Sequence, residues 1–182
     1  FYANNNFNFD PLIDDISYWN QLKDLSNFTT NDLELLIYHS ISIKNKIVLA
    51  DPLEENVRKK LNFGHTLGHA IESYFLKNDS LPTLLHGEAV AIGMVLESHI
   101  SFQKNYISEA FYLEIKEIIV SIFNKIELSK KDIEICLSLL IHDKKNESSR
   151  VNFTLIKENG NAVINEAVSP EMISNAFNDY LN

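Results

Sequence analysis

Three histidines carry the chemistry that this sequence can do. His65 and His69 are four residues apart in RKKLNFGHTLGHAIE, and His86 opens the run HGEAVAIGMV. On a helix, His65 and His69 project from one face. His86 follows a polar, proline-containing excursion, KNDSLPT, and starts a second apolar helix. Two imidazoles from one helix and a third from the next can converge on a divalent metal. Single helical histidines are usually solvent-facing or hydrogen-bonded, so the surroundings must decide. Four of the five glycines, Gly64, Gly68, Gly87 and Gly93, sit beside these histidines. Glycine in a helix costs about 1 kcal/mol against alanine. Its recurrence here points to close approach of backbone or ligand. Arg58 and Asn62 precede His65 at helical intervals, adding a guanidinium and an amide to nearly the same face.

The elements that must position these groups are mostly helical. The patterns predict an amphipathic segment over 10–25 with Trp19 and Leu22 on its apolar side. They predict a helix from Thr30 or Asn31 to Asp51-Pro52, and a third from Arg58 through Phe75, bent near Gly64. A long apolar helix over Glu88 to about Tyr106 suits the domain centre. Helices near 108–126 and 130–142 follow, the second capped by Ser129. Residues 151–156 and 161–166 alternate about Asn159-Gly160, a hairpin signal. Pro170 then starts a terminal helix after Ser169. The expected fold is therefore mainly α with one small β-hairpin.

Composition narrows the function classes. The 182 residues supply one domain with a real core, and 45% hydrophobic content is ordinary. No run approaches a membrane-spanning length, and no signal peptide is visible. A net charge of -9 argues against nucleic acid as a partner. Basic residues nevertheless gather near the motif at Lys44, Arg58, Lys59 and Lys60. The single Cys136 lies in an apolar stretch and permits no internal disulfide, which suits a reducing cytoplasm. No glycine-rich phosphate loop occurs that could hold a dinucleotide. His39 and His99 lie in apolar stretches without matched partners and read as helix-surface or core residues. Glu72 can hold a motif histidine or face solvent equally well.

The string Arg58-x-x-Leu61-Asn62-Phe63-Gly64-His65-Thr66-x-Gly68-His69-Ala70-x-Glu72, followed by His86-Gly87-Glu88-Ala89-Val90, resembles the 3-dehydroquinate synthase family of sugar phosphate cyclases. The likeness runs from about Leu12 to the C-terminus and is densest between Ile43 and Met94. It implies the C-terminal metal- and substrate-binding helical domain over 11–182, with residues 1–10 unplaced and the N-terminal NAD-binding domain outside this chain. It also implies a zinc ion, or another divalent metal such as cobalt, on His65 and His86, with His69 behind them to relay a proton or hydrogen-bond the substrate. Lys44, Arg58 and Asn62 match substrate-contacting positions. Asp143-Lys144-Lys145 matches a stretch in which Lys144 or Lys145 reaches a phosphate. The family's third metal ligand is a glutamate expected near or before the N-terminus, and residues 1–33 contain none. The implied reaction is that of an NAD- and zinc-dependent carbon-oxygen lyase of the shikimate pathway, which makes 3-dehydroquinate and phosphate from a phosphorylated seven-carbon sugar acid. The implied setting is cytoplasmic, with a homodimeric full-length enzyme, and the chain alone is expected to be inactive. Another sugar phosphate cyclase, or a non-catalytic remnant domain, are the alternatives.

Overall fold

Helix α1 spans Thr30–Ala50, and its first turn shows why it starts there. The Thr29 side chain accepts the N–H of Asp32, and the Asp32 carboxylate accepts the N–H of Thr29 in return. The cap is thus one residue earlier than Thr30 or Asn31, because only Thr29 is extended and has an acidic partner three residues on. The computed structural model describes residues 28–123, 125–144, 151–158 and 161–182. The expected segment over 10–25 and the turn Asn159-Gly160 lie outside them.

The chain past Asp51-Pro52 is not one bent helix. Val57–Asn62 forms a 3-10 helix, and helix α2 begins afresh at His65–Leu76. Gly64 separates them at φ 81°, a left-handed conformation that breaks the helical path outright. Asp51 organises the 3-10 segment. Its carboxylate accepts the N–H groups of Glu55 (3.0 Å), Asn56 (2.7 Å) and Arg58 (3.0 Å). Burial alone would raise the Asp51 pKa, but these donors and the Arg58 charge outweigh it and hold it below the usual carboxylate range.

Helix α3 (His86–Gln103) is the centre of the molecule. It packs against α2, against α4 (Glu109–Ile122), against strand β1 (Asn152–Ile156) and against α6 (Pro170–Leu181). Ala89, Ile92, Val95, Leu96 and Ile100 are all buried, so α3 is covered nearly all round. Helix α5 (Lys130–Lys144) closes over α2, with Ser129 and Asp132 exchanging capping bonds. Cys136 is buried there, and burial pushes its thiol up to about 12, which makes it an inert core group. Ser169 caps α6 and Pro170 fills its first turn, as the sequence signals.

Strands β1 and β2 (Ala162–Ala167) pair antiparallel and form the single sheet among the described residues. Phe153 faces Glu166 and Leu155 faces Val163, so β2 carries one extra residue, and Asn165 there has φ 59°. The hairpin braces the histidine motif from below. Thr154 donates to the Lys59 carbonyl (3.0 Å), and Thr66 donates to that of Asn152 (3.3 Å). No described helix is long and apolar enough to cross a membrane.

Candidate metal and substrate site

The site is built where α2 and α3 touch. A Cβ on Gly93 would collide with the Gly64 carbonyl and lie 2.7 Å from the Gly68 nitrogen. A Cβ on Gly68 would lie 3.0 Å from the Ala89 carbonyl. These glycines let the two backbones meet. Gly87 differs, since a Cβ there meets nothing within 4 Å. Four residues beyond Gly93, on the same face of α3, the fully buried Glu97 caps α2 from across the interface. Its carboxyl oxygens accept the N–H of Gly64 (2.7 Å) and of Leu67 (3.0 Å), two of the donors that a helix start leaves unpaired.

This packing gathers the three imidazoles. Ring centroids lie 5.5 Å apart for His65 and His69, 5.7 Å for His65 and His86, and 5.6 Å for His69 and His86. Nδ1 of His65 lies 3.2 Å from the Phe63 carbonyl, and Nδ1 of His86 lies 3.1 Å from Glu72 Oε2. Those oxygens can only accept, so each contact is a hydrogen bond in the Nδ1–H tautomer, the form of a neutral ring that leaves its Nε2 lone pair for a metal. Burial lowers the pKa of His65, the charges of His69, His86 and Lys44 lower it further, and the Phe63 carbonyl opposes them. The neutral ring is the form that binds metal.

Among the described residues, the group whose donor atoms come close enough for a zinc-class ion contains His86 with His69 and Glu72, and not His65. Ligand atoms of His69, Glu72 and His86 lie within 4.8 Å of one another. Tetrahedral zinc with bonds of about 2.0–2.2 Å sets its ligand atoms a little over 3 Å apart, so small side-chain rotations close the difference. Glu72 joins the cluster because it stands three residues after His69 and seven after His65, on the same helical face.

Beside the histidines opens a cavity of about 610 Å³ lined by Glu54, Lys59, Asn62, His65, His69, Lys77, Asn152 and Asn165, among others. Asn62 donates to Glu54 Oε1 (2.8 Å). Arg58 stands 3.5 Å from Glu54 Oε2 and donates to the Pro52 carbonyl (2.9 Å). Glu54 therefore sets the positions of both, with its own backbone left-handed at φ 57°. Lys44 is exposed on α1 and does not line the cavity, although its charge reaches His65. Lys144 ends α5, and its side chain, like Lys145, lies outside the described residues. Lys77, Asn165, Glu54 and Glu97 were not singled out by sequence reasoning. Glu97 had one signal: an acidic residue within an apolar helix, in step with Gly93. His99 lies elsewhere, against Gln103 and Asp179, with its pKa lowered by burial.

Comparison with known proteins agrees with this architecture. The chain is 39% identical over 165 residues to 3-dehydroquinate synthase of Parabacteroides distasonis, covering 87% of this chain and 44% of that protein. It is 37% identical over 164 residues to the Streptococcus mutans enzyme, covering 88% and 45%. The chain thus spans under half the length of these curated relatives. A solved structure of 2-epi-5-epi-valiolone synthase from Streptomyces hygroscopicus, with NAD+ and Zn2+ bound, shares the fold at TM-score 0.67 and 19% identity, covering 89% of this chain and 45% of that one. Residues 11–146, which contain the whole histidine motif, match the family described as 3-dehydroquinate synthase C-terminal, and the chain belongs to that family.

Proposed function

We propose that this chain is the metal- and substrate-holding part of a 3-dehydroquinate synthase, which converts 3-deoxy-arabino-heptulosonate 7-phosphate to 3-dehydroquinate and phosphate. The observation that carries the reading is the histidine triangle, with rings 5.5–5.7 Å apart, two of which, His65 and His69, line a cavity that also carries Lys59 and Lys77, while His86 stands beside them outside its lining. His65 and His86 hold the metal, supported by the acceptors that engage Nδ1 of each and leave Nε2 for the ion. Zinc, when bound, would supply a Lewis acid for the hydroxyl that is oxidised, and NAD, held outside these residues, would supply the hydride acceptor. His69 holds or passes a proton at a ring nitrogen beside that hydroxyl. Asn62 and Arg58, set by Glu54, orient the hydroxyl and carboxylate groups. Lys44 and the lysines Lys144 and Lys145 add positive field for the phosphate, and Lys59 adds to it from the cavity wall. A local cluster of cations thus serves an anionic substrate despite the net charge of -9. In keeping with the family resemblance, the full-length enzyme works as a cytoplasmic homodimer that binds NAD outside these 182 residues.

The test is phosphate release. The full-length protein with zinc and NAD+ should release phosphate from the heptulosonate phosphate and form 3-dehydroquinate. The 182 residues alone should not, because orientation of the hydride acceptor can supply about 7–11 kcal/mol of the barrier. No phosphate release from the full-length protein would reject the reading. A valiolone-type product would assign the chain to a sister cyclase.

A further inference from the structure

His86 is an exposed ring of the triangle. Its side chain is 56% exposed, and its ring is steered by Glu72, whose side chain is only 23% exposed. Glu72 reaches it from α2, the helix that also carries His65 and His69. Oε2 of Glu72 lies 3.1 Å from His86 Nδ1, a hydrogen-bond distance. A neutral imidazole in water favours the proton on Nε2, which would block the lone pair that a metal needs. A carboxylate at Nδ1 reverses that preference and fixes the angle of the ring. The Phe63 carbonyl does the same for His65 at 3.2 Å.

We propose that Glu72 is a positioning residue for the metal site: it takes the Nδ1–H of His86, fixes that tautomer, and aims Nε2 at the ion. This rests on the reading of His86 as a metal ligand. In this role Oε2 of Glu72 takes the Nδ1 proton of His86, which sets it apart from a direct ligand in the grouping of His69, Glu72 and His86.

The experiment uses the 182-residue chain labelled with 15N-histidine, metal-free, at about pH 8.5, above the ordinary imidazole range. Two-bond proton–nitrogen correlation spectra report the tautomer of each ring. His86 should be the Nδ1–H tautomer in the wild type and move to Nε2–H in Glu72→Ala. Glu72→Gln, whose amide oxygen still accepts, should keep Nδ1–H. Zinc affinity, read by competition with a chromophoric chelator, should fall about 10–100-fold in Glu72→Ala. Glu72→Gln should recover most of that loss. An Nε2–H tautomer in the wild type, or no change in either variant, overturns the proposal. So does a Glu72→Gln loss as deep as that of Glu72→Ala, which would make Glu72 a direct ligand. A tautomer change with unaltered zinc affinity overturns only the part assigned to Glu72. A wild type that binds no zinc overturns the metal reading as well.

Discussion

Gly93→Ala should lower the stability of the chain by about 3 kcal/mol, against the usual gain of about 1 kcal/mol for replacing glycine in a helix. The added methyl meets the Gly64 carbonyl and the Gly68 nitrogen, which are backbone atoms of α2 that cannot swing aside. The helices must part, and His65 must move away from His86. For a chain of this size, thermal unfolding should shift down by roughly 6–12 °C. Gly87→Ala is the matched control. Its methyl enters open space, so the melting temperature should stay level or rise. Equal melting temperatures for the two variants would show that α2 and α3 are not in the contact described.

Glu97→Ala should be as damaging, at about 3 kcal/mol, for a different reason. It strands the N–H groups of Gly64 and Leu67 in the interior, where each unpaired donor costs about 1–3 kcal/mol. The loss falls on the turn that starts the His65 helix. Amide exchange at Gly64 and Leu67 should accelerate more than at Ile133 in α5. Glu97→Gln keeps one accepting oxygen and should fall between the wild type and Glu97→Ala. Unchanged exchange at both amides would remove Glu97 from any part in positioning the site.

The histidine triangle was legible because helical spacing is a local property. His65 and His69 share a face wherever a helix forms, and His86 begins an apolar run that could only be buried. The hairpin and the Ser169-Pro170 start were legible for the same reason. The break at Gly64 was not, since the pattern of Arg58, Asn62 and His65 continues a helical period through it. What stops the helix is the left-handed Gly64, locked by contacts from Gly93 and Glu97 on another helix. Glu54 was also invisible, because its role lies in reaching Asn62 and Arg58 from a turn that Asp51 shapes. Lys44 matched a substrate position by sequence, yet it acts on His65 from an exposed place on α1, through its charge.

The central claim is that His65 and His86 form a metal site with His69 beside them. The most direct measurement is zinc titration of the 182-residue chain and three variants by calorimetry. The wild type should bind one zinc, weakly, since part of the coordination shell is left to water. His65→Ala and His86→Ala should each weaken binding by more than about tenfold, and His69→Ala by less. Affinity unchanged in both His65→Ala and His86→Ala would contradict the account. A deeper loss in His69→Ala than in His65→Ala would instead put the ion among His69, Glu72 and His86.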